Sequence, residues 1–167
     1  MESQYYEHLV QCRPQPLMKL VKVISMVGFI FSLLMAPGAL IAGIAGCLAM
    51  GATFWFSNRE VGKEYEYVYI DGDISFDEIY NKSRRKTKLK TSWEETRLVC
   101  RADSPELNGY RQKNAKVQNF ASRDKANESR VYALLTEKQG TYMIVYFEPA
   151  EDMLEMMWRK SPSKVKK

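Results

Sequence analysis

A chain of 167 residues with a formal charge of +5, three cysteines and one histidine has room for one small folded domain beside any membrane segment. Cysteines at 12, 47 and 100 are too few and too scattered for a disulfide framework, and without a CxxC pair or a Cys/His cluster no metal site or cofactor is expected. A charge this small, over a chain with no recognised nucleic-acid motif, also argues against nucleic acid as a partner.

Residues 1–16 (MESQYYEHLVQCRPQP) carry Tyr5, Tyr6, Leu9 and Val10 at roughly helical spacing, which predicts a short amphipathic, interfacial segment; a disordered start is the alternative. Pro14 and Pro16 end it. His8 has no partner in sequence and is expected on the surface.

Val23–Asn58 contains no Asp, Glu, Lys, Arg or His, and Pro37-Gly38 divides it nearly in half. One membrane span takes about 20 residues, so the run suits two short helices better than one long one. It predicts a transmembrane hairpin over 17–57, with helices at 17–35 and 38–56 and with Lys19 and Lys22 reaching towards headgroups. Ile44-Ala45-Gly46-Cys47 resembles a lipoprotein cleavage box, but the following LAMGATFWF stays apolar where a mature lipoprotein turns hydrophilic. Ala39, Gly43, Cys47 and Gly51 recur every four residues and predict a helix-packing stripe, used against the first helix or in a homodimer. Arg13, Lys19 and Lys22 precede the pair, Arg59 and Lys63 follow it, and the turn is uncharged. Both termini are therefore expected in the cytoplasm, in a multi-pass cell-membrane protein.

Beyond Phe56 the chain is strongly charged, with 22 Lys/Arg against 18 Asp/Glu in residues 59–167, and the apolar period shortens to two. Glu64–Ile70 (EYEYVYI) places Tyr65, Tyr67 and Tyr69 on one face, and Asp71-Gly72 is a hairpin turn. Further strands are expected at 95–101, 115–121, 130–136 and 141–147, the last two joined through Gln139-Gly140. Ser104–Tyr110 reads as a loop with at most one helical turn. Pro149 then opens a helix with Ala150, Met153, Leu154, Met157 and Trp158 on one face, followed by a basic tail at 161–167. About seven antiparallel strands closed by a C-terminal helix over 58–160 predict an α+β soluble domain of the PH-like β-barrel type, the helix plugging one end.

The start YYEHLVQCRP, the two-helix hairpin and the segment EYEYVYIDGDISFDEIYNKSRRK resemble a family of small, uncharacterised bacterial membrane proteins of the clostridial type. The resemblance covers nearly the whole chain. It implies two membrane helices and a PH-like cytosolic domain, and it carries no catalytic residues.

Lys82, Arg84, Lys86, Lys88 and Lys90 (KSRRKTKLK) share one side of any extended segment, a row about 27 Å long. Such a row suits contact with anionic inner-leaflet lipids, or a solvated edge strand guarded against aggregation. No GxSxG, Walker or HExxH motif is present, and the adjacent acids Glu94-Glu95 and Glu151-Asp152 do not converge, so no enzymatic activity is expected. The expected function is a membrane-anchored binding or scaffolding module acting on a protein or on anionic lipid. The alternative is a structural subunit of a larger complex joined through its helices.

Overall fold

The computed structural model describes residues 5–166. They form two compact units, one of residues 13–63 with 80–83, the other of residues 5–12, 64–79 and 84–166.

The first unit is a helical hairpin. Helix α1 (Pro16–Met35) begins at a proline, whose missing N–H costs nothing in a first turn. Helix α2 (Leu40–Val61) runs beyond the expected end at Phe56 and stops at Gly62. Both are long and apolar enough to cross a membrane. Their large side chains face outwards: Ile41 is 87% exposed, Leu48 71% and Leu34 69%. Serines and threonines bond back to their own helix, Ser32 Oγ to Gly28 O (2.9 Å) and Thr53 Oγ1 to Ala49 O (2.8 Å), so their hydroxyls need no water.

The two helices meet through small residues, in antiparallel order. A Cβ added to Gly43 would lie 2.5 Å from Ala36 Cα, one on Gly46 would collide with Ser32 Oγ, and one on Gly28 would stand 3.0 Å from Met50 Sδ. Of the expected packing stripe, Gly43 is buried and Cys47 half-buried, Gly51 approaches Phe29, and Ala39 is exposed at the start of α2. Gly46, one line over, makes a closer approach than Gly51.

The second unit is a pair of sheets. The segment expected to be helical or disordered is strand β1 (Tyr5–Gln11). It pairs antiparallel with β2 (Lys63–Ile70), from Tyr5 opposite Ile70 to Gln11 opposite Glu64. Seven residues are too few for a stable isolated helix, and pairing turns Val10 into the core. β3 (Asp73–Tyr80) follows the predicted Asp71-Gly72 turn, both of whose residues have positive φ, and β4 (Arg84–Thr91) completes the order β1-β2-β3-β4. The second sheet holds β5 (Thr96–Arg101), β6 (Lys116–Asn119), β7 (Tyr132–Lys138) and β8 (Thr141–Phe147) in the order β5-β7-β8-β6. β6 runs parallel to β8. The described residues therefore hold eight strands in two four-stranded sheets, not a closed barrel of about seven antiparallel strands. The additional strand is β1, and the sheets keep their edges instead of sealing. A short 3-10 turn (Pro105–Leu107) and α3 (Asn108–Gln112) lie between β5 and β6.

Tyr65, Tyr67 and Tyr69 point into the core as their alternation predicts. Tyr67 meets Phe76 and, from beyond the first sheet, Phe147 edge-on at 5.7 Å; Tyr65 meets Phe120, which stacks on Phe76 at 5.1 Å, and Tyr69 meets Trp93. Helix α4 (Glu151–Lys160) starts just after Pro149, with Ala150 at its N-cap, and buries Met153, Leu154 and Met157. Trp158, expected on the same face, is 39% exposed. The supposed basic tail is part of the fold: Val165 is buried and lies beside Val99, which bonds to the backbone of Lys164 and Lys166.

Packing at Gly43 admits no methyl group, because the obstacle is backbone. Gly43→Ala is expected to lower the Tm of the full chain in detergent, at an overpacking cost of about 1–3 kcal/mol. Gly51→Ala, whose methyl would stand 3.5 Å from the Phe29 ring, should leave it unchanged. Circular dichroism melts compare the two; equal Tm values contradict the packing.

Candidate functional site

The expected cationic row is broken up by its surroundings. Lys82 lies before β4, in a turn where Asn81 and Lys82 both have positive φ. Arg84, Lys86, Lys88 and Lys90 are exposed along one side of the strand. Lys88 Nζ is 3.1 Å from Glu78 Oε2 and Lys90 Nζ 3.6 Å from Asp73 Oδ2, both acids of neighbouring β3. Arg84 and Lys86 have no acidic partner among the described residues.

The arginine on the other side of that strand makes a denser cluster. Arg85 Nη2 lies 2.5 Å from Glu66 Oε2 on β2 and 3.3 Å from Glu7 Oε1 on β1, and its Nε is 3.9 Å from Asp77 Oδ2 on β3. One guanidinium thus reaches a carboxylate on each of the other three strands of its sheet. Glu66 and Asp77 are buried, whereas Arg85 and Glu7 keep water on one side. Burial, reinforced by the Glu7 hydrogen bond, pushes the Glu66 carboxyl up to about 7, while Arg85 holds it down. Glu7 is lowered in turn, chiefly by that same hydrogen bond with Glu66. Alternation along β2 and β4 assigns Glu66 and Arg85 their faces, but only the strand order brings them together.

A second constellation ties the sheets to each other. Tyr67 is fully buried; its hydroxyl donates to Phe120 O (2.6 Å) and accepts from the backbone N–H of Glu148 (3.4 Å). Burial drives this phenol far above its usual range. Glu148, also buried, accepts at Oε1 from both the N–H and the Oγ of Ser122, each at 2.7 Å. Two cavities share Glu148 and Ser129 in their walls. One, of about 660 Å³, is rimmed by Arg101, Asn119, Arg123, Lys125 and Tyr146. The other, of about 740 Å³, is rimmed by four successive β1 residues beginning at His8, with Arg130, Tyr132 and Glu151. His8 is half-buried there rather than on open surface, and that burial lowers its proton affinity against the pull of Glu148. Neither His8 nor Glu148 sits in a sequence pattern that announces a site.

The model of the family described as "Bacterial PH-like domain (DUF6106)" matches residues 2–167. The chain belongs to this family. No curated protein and no solved structure matches it. The match spans the hairpin as well as the PH-like unit of paired sheets and α4, and the description names no ligand.

The Arg85 cluster of this PH-like unit has a definite pH signature. With Glu66 raised from 4.5 to about 7, its stabilising contribution is fully present below about pH 4.5 and is lost as the pH climbs through 7. Arg85→Met removes the opposing charge, so Glu66 resists ionisation further. The loss should be about 2 kcal/mol at pH 8, below the ~3–5 kcal/mol of a fully buried pair because Arg85 is half in solvent, and distinctly smaller at pH 5. Urea unfolding of the full chain in detergent at both pH values measures it; equal losses contradict the assignment.

Proposed function

We propose that this chain is a membrane-anchored, non-enzymatic binding module, its hairpin set in the bilayer and its PH-like unit in the cytoplasm. The observation that carries the reading is the outward-facing apolar surface of α1 and α2, which neither helix buries against the other. Water tolerates such a surface poorly, whereas hydrocarbon accepts it at no cost. The cations Lys19, Lys22 and Arg59 lie at one end of the hairpin and none lies in residues 36–39, which favours both chain ends on the cytoplasmic side.

The cavities flanking Glu148 are the candidate ligand face of the PH-like unit, with a protein segment as the favoured partner. Glu148 suits structural anchoring better than proton transfer, since two donors already occupy its Oε1. Gly43 and Gly51 face α1 of the same chain, which leaves that stripe little surface for a second polypeptide and disfavours a subunit joined through it.

Because Gln11 and Glu64 are paired neighbours, residues 12–63 are replaceable by an Asn-Gly turn that closes β1 on β2. The spliced chain is expected to leave the membrane fraction and keep the near-ultraviolet dichroism of the tyrosine core. A spliced chain that stays with carbonate-washed membranes contradicts the hairpin as anchor.

A further inference from the structure

The formal +5 of the chain resides in one place. Residues 13–63 with 80–83 contain Arg13, Lys19, Lys22, Arg59, Lys63 and Lys82 against a single acid, Glu60; all other residues balance 19 Lys/Arg with 19 Asp/Glu. The helices are antiparallel, so the start of α1 and the end of α2 share one end of the hairpin. Asn81 N–H donates to Gly62 O (2.8 Å), which fastens the turn carrying Lys82 to that same end.

Arg59 is the organised member of this cluster. Its guanidinium carbon lies 4.7 Å from the Trp55 ring centroid and 4.7 Å from that of Tyr80, within cation–π reach of both rings. Stacking of this kind leaves the in-plane N–H donors as the way for an arginine to bind. Arg59 is half-buried, and among the described residues it has no hydrogen-bonded or acidic partner; the nearby Glu60 carboxylate goes to Lys63 at 3.5 Å. Half-buried donors of this strength call for an acceptor. Lys22, 6.0 Å above the Phe54 ring, also lacks an acidic partner among the described residues, as does Lys82.

We propose that the charged end of the hairpin is a binding site for the phosphate of an anionic phospholipid, with Arg59 as its bidentate ligand and Lys22 and Lys82 adding charge. A planar guanidinium fork matches two phosphate oxygens. The exposed Val23, Ile24 and Phe56 next to it offer an apolar surface for acyl chains, which a soluble phosphate would not use. The inference rests on the hairpin being the membrane anchor. It moves the lipid contact from the β4 row, of which only Lys82 belongs to this cluster, to a site that the row did not predict.

The test is native mass spectrometry of the full chain released in mild detergent from bilayers of phosphatidylglycerol and phosphatidylcholine. The wild type is expected to retain phosphatidylglycerol selectively. Arg59→Gln should lower that selectivity about tenfold, the loss of one charge-assisted bidentate contact. An Arg84→Gln, Lys86→Gln double variant should match the wild type. Tyr80→Leu, which keeps every charge but removes one stacking ring, should fall between, and it serves if Arg59→Gln does not fold. Undiminished selectivity in Arg59→Gln or in Tyr80→Leu overturns the site, and displacement of the lipid by millimolar inorganic phosphate reassigns it to a soluble anion. Failure of the anchor shows differently: the wild type then washes off carbonate-treated membranes whatever lipid it prefers.

Discussion

Two hydrogen-bonded strands hold the base of everything else. β1 and β2 are immediate neighbours, with Gln11 opposite Glu64, yet residues 12–63 intervene between them. The intervening chain must leave and return to one spot, and a loop of that length carries an entropic cost unless its own halves stick together. The small-residue contacts of α1 and α2 supply that adhesion, at Gly43 against Ala36 and at Gly28 against Met50. The apolar hairpin is thereby an insertion into a β-hairpin, held by two connections rather than one.

Charge follows the same division. The unit with the apolar helices holds six cations and one acid, and the PH-like remainder is formally neutral. The net charge therefore belongs to the unit that holds the hairpin. Within the sheets, basic residues are largely spent internally: Lys88 and Lys90 on β3 acids, Arg85 on three carboxylates. Within the formally neutral PH-like unit, two cavities flank Glu148.

What could be read from the sequence was what depends on neighbours along the chain. The uncharged run, the Pro37-Gly38 break, the tyrosine alternation of β2 and the turns at Asp71-Gly72 and Gln139-Gly140 are local patterns, and each lies where its pattern put it. What escaped depends on distant partners. Tyr5–Gln11 is a strand only because β2 lies beside it, and β6 is parallel to β8 because its connection crosses over. Arg85 lies off the row of cations that alternation picks out, and strand order gives it three acids that no spacing rule supplies. The stack around Arg59 was half legible, since Trp55 and Arg59 are four apart on a helix, while Tyr80 comes from the end of β3.

The most direct measurement is sidedness of labelling on the full chain in intact cells. In a variant with Cys12, Cys47 and Cys100 replaced, one new cysteine is placed at Gly38 in the helix turn or at exposed Ser163. A hairpin that crosses the bilayer with its charged end inside predicts that an impermeant maleimide reaches position 38 from outside, and position 163 only after permeabilisation. Position 38 sealed from the outside, or both positions reacting alike, contradicts it.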